Sequence, residues 1–356
     1  MPIYVQSLGI GVIGWSLLAT SAALGMFLFE WIWGAMSDRV DRRFLILFST
    51  LAMSVLFPLY TLQFLIPYFL VLQFFSGAIA VVLGPTTRAY VSDESSQKSA
   101  GLLASLWWAF FTVGRTIGPL VGAYLAELCS FSCSFYASSV LALILACLVM
   151  LTFPKLEKSV NPQEVRSLRS TLHMRSAGFL FLSTVFAFMT VSLVRYFLPL
   201  YASEEIKMST VEVGVLLSAT AAAQLAAMPL VGWLSDKFGR RRMVGIGFTS
   251  SSVILLFYLV TKTPSQLLLV SVIVSLGLSA TTLLLALIPE VTPNTLCGTA
   301  VGAYGSFEDL GIIIGPLVFG FVWSTFSPVL IFAVGSLAQL ISAIFVLTIK
   351  PHRTEG

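Results

Sequence analysis

Charge is what this sequence has least of. Of its 356 residues, 10% are Asp, Glu, Lys or Arg and 57% are hydrophobic, whereas soluble domains carry roughly 25% charged residues. In water such a chain would expose broad apolar patches and aggregate. Histidine is scarcer still: His173 and His352 are the only two, both in hydrophilic segments. They exclude a zinc centre or an intramembrane histidine relay, and no cofactor or metal is expected. The four cysteines, Cys129, Cys133, Cys147 and Cys297, have no metal-ligand spacing, although Cys129 and Cys133 lie one helical turn apart and could pair. No lysine follows a glycine, which excludes the Gly-x-x-x-x-Gly-Lys-Ser/Thr loop of an ATP-driven pump. The apolar runs hold no nucleophile–base pair or metal cluster, so enzyme chemistry is not expected. A channel's filter loop is also missing.

Long apolar runs are what the chain does have. Reading between charged, Pro or Gly breaks gives about eleven spans, at 10–36, 44–62, 66–91, 99–126, 132–153, 177–201, 211–235, 243–261, 265–289, 298–323 and 328–349. They lack strict alternation, which selects helices over a barrel. The expected fold is an all-α polytopic membrane protein. Its longest polar interruption holds Lys155, Lys158, Arg166, Arg169 and Arg175. Those cations share alternate loops and tails with Arg39, Arg42, Arg43, Lys98, Lys237, Arg240, Arg241, Arg242, Lys350 and Arg353; the opposite loops hold only Lys207 and Lys262. The positive-inside rule puts the basic side and the C-terminus in the cytoplasm. The net charge of +4 is therefore read as topology rather than as nucleic-acid binding.

The halves repeat one another at an offset of 197–198 residues. Gly34, Asp38, Arg39, Arg42 and Arg43 recur as Gly232, Asp236, Lys237, Arg240 and Arg241. Gly114, Gly118 and Pro119 recur as Gly311, Gly315 and Pro316, Gly101 recurs as Gly298, and Asp93 and Glu290 coincide. Duplicated halves of about six helices are the sequence form of a two-bundle carrier. At these residues the chain resembles the major facilitator superfamily, whose signature Gly-x-x-x-Asp-Arg/Lys-x-Gly-Arg-Arg/Lys follows the second helix of each half. The resemblance covers essentially the whole chain and departs at Asp41, where the second copy has Gly239. An αL turn is made less easily by Asp than by Gly.

On the family plan, residues 1–153 form one bundle, 154–176 a cytoplasmic linker and 177–356 the second bundle. Pro2 and Tyr4 align with Pro199 and Tyr201, which close a full apolar helix in the second half. The matching helix would precede residue 1, so the expectation is a chain lacking the family's first helix. A genuine eleven-helix protein is the alternative.

Three sets of residues are candidates for function. The resemblance implies a conformational latch in the motif loops, from Gly34, Asp38, Arg39, Arg42, Gly232, Asp236, Lys237, Gly239 and Arg240. Carboxylates Asp38 and Asp236 would gain roughly 0.3–1 kcal/mol near a helix N-terminus. Arg39 and Lys237 could pair with Asp93 and Glu290, or serve only as topology anchors. Six ionisable residues fall within spans: Glu30, Arg88, Arg115, Arg195, Glu308 and Asp309. Arg115 suits an anionic group, and either Glu308 or Asp309 suits a proton that loads and leaves. Stripes at helical spacing run through Gln73, Gly77, Ala80, Gly84 and Arg88, through Thr184, Phe188, Ser192 and Arg195, and through Ser271, Ser275, Ser279 and Thr282. In the family, helices four, seven and ten line the substrate cavity; close packing by small residues is the competing reading. Gly114, Gly118, Pro119 and Gly122 resemble the family's antiporter motif on helix five, although its twin around Gly311, Gly315, Pro316 and Gly320 is equally suited to packing.

The resemblance thus implies a monomeric secondary carrier in the cell membrane, moving a small-molecule substrate by alternating access. Proton-coupled export is the expected direction. Uptake of an organic anion, or a remnant that no longer transports, is the alternative.

Overall fold

The computed structural model describes residues 1–37, 40–62, 65–84, 86–87, 100–152, 175–293 and 296–349, and among them there is no strand. A backbone in lipid must satisfy its own polar groups, and a helix does so within one segment. Nine described helices are long and apolar enough to cross a membrane. The shorter apolar helix Ile66–Ala80 and the 29-residue helix Ala100–Leu128 lie at two further spans read from the sequence.

In chain order the helices are α1 (Pro2–Ser7), α2 (Val12–Ser37), α3 (Arg42–Leu59), α4 (Ile66–Ala80), α5 (Ala100–Leu128) and α6 (Phe131–Thr152). Then follow α7 (Arg175–Ser192), α8 (Leu198–Glu204), α9 (Thr210–Phe238), α10 (Arg240–Leu255) and α11 (Pro264–Leu278). Short α12 (Thr282–Ala286) and α13 (Ile288–Val291) precede α14 (Cys297–Thr325) and α15 (Leu330–Thr348). The chain divides into two compact units, Tyr4–Gln163 and Glu164–Gly356, the latter with Met1–Ile3.

Inside the units the repeat becomes physical. In the first, α2 packs along α4 and α3 along α6; in the second, α9 packs along α11 and α10 along α15. Hydrogen bonds repeat with the helices. Ser252 and Ser336 each donate to the other's carbonyl, at 2.9 and 2.7 Å, and Ser139 donates to the carbonyl of their counterpart Ser54 at 2.5 Å. The second arginine of each motif also does one job twice. Arg43 donates to the Met150 carbonyl in the last turn of α6, and Arg241 to the Leu347 carbonyl in the last turn of α15. A helix ends with unsatisfied carbonyls and a negative dipole end, and a guanidinium answers both.

Helix α7 makes two contacts in the second unit. It packs on α15 through Ser183 and Ser342, which bond reciprocally at 3.0 and 2.8 Å. It packs on α14 through glycines: a side chain added at Gly311 would stand 2.5 Å from the Val185 carbonyl oxygen, and one at Gly315 would strike Ser192. Their twins behave differently, because Gly114 and Gly118 have nothing within 4 Å of an added side chain.

Two outcomes follow for purified protein in detergent. Gly311→Ala should lower the unfolding free energy by about 1–3 kcal/mol through overpacking, whereas Gly114→Ala should leave it unchanged or raise it by up to about 1 kcal/mol through helix propensity. Arg241→Gln, which removes a helix-end contact, should cost about 0.5–2 kcal/mol and lower the thermal midpoint, with amide exchange fastest in the last turn of α15.

Candidate functional site

The two intramembrane carboxylates stand side by side on α14 in different settings. Asp309 is 7% exposed, while Glu308 is half-buried. Successive helical residues point about 100° apart, so one backbone position separates an interior group from a more open one. Aromatic packing fixes this rotation. Phe307 stacks on Phe181 at 4.9 Å with parallel rings, and Tyr304 meets Phe188 edge-on at 6.4 Å. Tyr304 is buried one turn before Glu308. With Gly311 and Gly315 seated on α7, α14 cannot turn without breaking these contacts. Pro316 lies inside the helix one residue beyond Gly315.

Arg195 falls in a π turn, Leu193–Phe197, between α7 and α8. Its cause is Pro199, whose ring would clash with the carbonyl four residues earlier in a regular helix. The widened turn bonds the Leu198 N–H to the Leu193 carbonyl instead. Arg195 is exposed there, over the ring of Tyr196 at 5.3 Å.

Along α11 and the turn after it, Ser271, Ser275 and Ser279 are buried. Ser275 donates to the Ser271 carbonyl at 2.8 Å and Ser279 to the Leu276 carbonyl at 2.6 Å, and Ser271 accepts from the Tyr258 hydroxyl at 2.8 Å. Thr184 and Ser192 on α7 likewise donate to their own helix, while Thr282 is exposed. In the first unit Gln73 is 8% exposed on α4, one turn from Gly77, which lies against the Ala22 carbonyl of α2. Arg115 is exposed on α5, beside the open glycine face of Gly114 and Gly118, with Pro119 inside the same helix. Glu30 is half-buried on α2, one turn before Gly34.

The motif loops use two turn chemistries. In the second unit Gly239 ends α9 and opens α10 with φ +92°, a region that favours glycine. In the first, Asp41 has φ −55° and caps α3, accepting from the Arg43 N–H at 3.0 Å. The αL turn considered for Asp41 is thus replaced by an N-cap, which an aspartate makes readily. Glu290 is engaged by Arg240 rather than Lys237. Arg240 donates to the Ala286 carbonyl at 3.0 Å and reaches Glu290 at 3.4 Å and Asp236 at 3.9 Å. Lys237 instead sits over the rings of Trp233 and Phe238. Gly232 lies one turn before Asp236 on α9, and Arg42 starts α3. Asp38, Arg39, Arg88 and Asp93 lie outside the described residues.

Cys129, Cys133 and Cys147 are free thiols. A hydrogen bond and like-charge repulsion from Cys133 hold the Cys129 thiol above its ordinary range. The contacts of Arg43 and Arg241, and the place of Tyr304, are not evident from the sequence alone. For the arginines the available signal was recurrence at the repeat offset; for Tyr304, helical spacing from Glu308.

The family model of the Major Facilitator Superfamily matches residues 1–179 and again residues 180–356. The chain is 25% identical to the multidrug resistance protein MdtG of Salmonella arizonae, over 97% of this chain and 88% of that protein. It is 28% identical to the protein of the same name from Yersinia enterocolitica, over 97% and 86%. Its fold is similar to crystal structures of a bacterial homolog of the human lysosomal transporter Spinster. The inward-facing occupied form gives a TM-score of 0.79 at 16% identity, and the inward-facing unoccupied form 0.76 at 15%, each over 96% of this chain and 88% of the other. With both halves matched in turn by one family, this multi-pass membrane chain belongs to the Major Facilitator Superfamily.

Proposed function

We propose that the chain exports a small organic solute by alternating access of its two repeats, driven by proton return through Asp309. The observation carrying this reading is Asp309 itself, a carboxylate 7% exposed within a 29-residue helix. An ionised carboxylate costs roughly 2.5–3.5 kcal/mol at the centre of a span. Binding a proton removes that cost, and access to water restores the charge. A group that prefers opposite charge states in two environments links proton movement to conformation. Glu308, the less buried neighbour of Asp309, is assigned to the solute. Export is favoured because relatives over most of the chain, such as MdtG of Salmonella arizonae, bear the name multidrug resistance protein.

In this reading the basic loops and the C-terminus face the cytoplasm of a cell membrane, and the chain works as a monomer. Arg240, Glu290 and Asp236 join the ends of α9, α10 and α13 and stabilise one of the two access states. Arg240 and Glu290 are both more than a third exposed, so their coupling amounts to about 0.2–1 kcal/mol. That is enough to bias a transition without arresting it.

Proteoliposomes loaded with ethidium or an anionic fluorescein, with a pH step imposed, test the reading. Export of one dye should accelerate at least about tenfold, a difference of about 1.4 kcal/mol, when the gradient drives protons against it. Asp309→Asn should abolish that acceleration, and Glu308→Gln should keep it. Gradient-driven flux that survives Asp309→Asn removes Asp309 from the cycle. Separately, Arg240→Ala and Glu290→Gln should each slow flux by about two- to fivefold, with the double variant no slower than the worse single one.

A further inference from the structure

Three arginines open α10 in succession, each in a different setting. Arg240 is engaged by Ala286 and Glu290, and Arg241 by Leu347. Arg242 is exposed and has no hydrogen-bond or ion-pair partner among the described residues. It stands at the head of a groove of about 660 Å³ between α10 and α15, whose lining includes Gly245, Thr249, Ser250, Val253 and Leu347 and no acidic side chain.

Small residues make this groove. A side chain at Gly245 would lie 2.5 Å from Leu347, so α15 closes against α10 there. Thr249, Ser250 and Val253 then line the groove further along α10. The first repeat is an internal control. Phe44, Leu47 and Leu51 occupy the positions of Arg242, Gly245 and Thr249, so its matching surface carries apolar bulk and no charge. The repeat constrains Arg42 and Arg240, and Arg43 and Arg241, alike; it does not account for Arg242 or its groove.

Depth identifies the ligand. The span Arg240–Val260 begins two residues before Arg242, so the guanidinium is at headgroup level. From there to Ile254 the groove descends about 18 Å at 1.5 Å per residue, through the zone of acyl chains. We propose that this groove binds an anionic phospholipid, with the phosphate on Arg242 and one acyl chain along α10. Arginine's planar fork matches phosphate oxygens, and the apolar wall below takes the chain. A zwitterionic lipid would bring an ammonium group that needs an anion, and the lining offers none.

The test uses the full chain, purified in detergent and titrated with phosphatidylglycerol or phosphatidylcholine of identical acyl chains. Retained lipid is read by native mass spectrometry and thermal protection by unfolding midpoint. Phosphatidylglycerol should bind about tenfold tighter, the effect of one well-placed charge contact. Arg242→Gln should erase the preference, and Arg242→Lys should keep part of it. Thr249→Trp, which fills the groove from an exposed position, should weaken retention of phosphatidylglycerol while Arg242 remains. Lys262→Gln, at the other end of the span, should change nothing. Equal retention of the two lipids by the wild type overturns the proposal, as does an Arg242→Gln variant with the wild-type preference. Full protection by glycerol 1-phosphate alone also overturns it, by showing a bare anion site without the acyl groove.

Discussion

Two apolar helices in lipid gain little by excluding solvent from between them, because the surrounding tails are as apolar as their own side chains. What holds each bundle is close approach, and the dispersion and hydrogen bonding that close approach permits. Glycines and serines therefore occupy the contacts here: Gly311 and Gly315 let α14 lie on the backbone of α7, and Ser183 and Ser342 bond α7 to α15. Serine can serve this role at both levels, packing as a small residue and bonding across to a carbonyl. Reciprocal pairs also fix depth, since a shift along either axis breaks both bonds together.

The buried carboxylate lies beside one of these contacts. Asp309 is two residues from Gly311, and Phe307, two residues before it, stacks on Phe181 of α7. A change in its charge therefore acts on a helix whose rotation and height are already fixed by its neighbours, and a rigid element transmits small local forces over its length. The motif loops supply the complementary property at the helix ends. In the second unit these are ion pairs of Arg240 that are partly exposed and individually weak. Within the second unit, close contacts between helices thus contrast with weak ones at the helix ends.

Much of this was legible in the sequence. Spans, repeat and motif could be read because hydrophobic length and recurring glycines need no knowledge of neighbours. Side-chain partners were harder to read. Asp41 departs from the glycine pattern yet is accommodated, because an N-cap turns the chain as well as a positive φ does. Glu290 could have been assigned to either nearby cation, and only the geometry of α10 brings Arg240 to it. The serine stripe through Ser271, Ser275 and Ser279 had two readings because a small polar residue looks the same beside a cavity or a helix. In the fold those hydroxyls bond to their own helix or, for Ser271, also to Tyr258. From sequence, Arg43 and Arg241 read only as topology markers, since the carbonyls they meet are more than a hundred residues away.

The π turn before Pro199 gives α7 an additional property. A five-residue turn carries one surplus residue relative to the regular spiral, and surplus residues set angular phase. A further residue added between Leu193 and Phe197, beyond the one that the π turn absorbs, would swing everything on one side by about 100° relative to the other. Ser183 and Ser192, which face α15 and α14, would then be out of step with Tyr201 of α8. Chain length at this point is therefore a tuning parameter for alignment, and substitution there should be tolerated far better than insertion or loss.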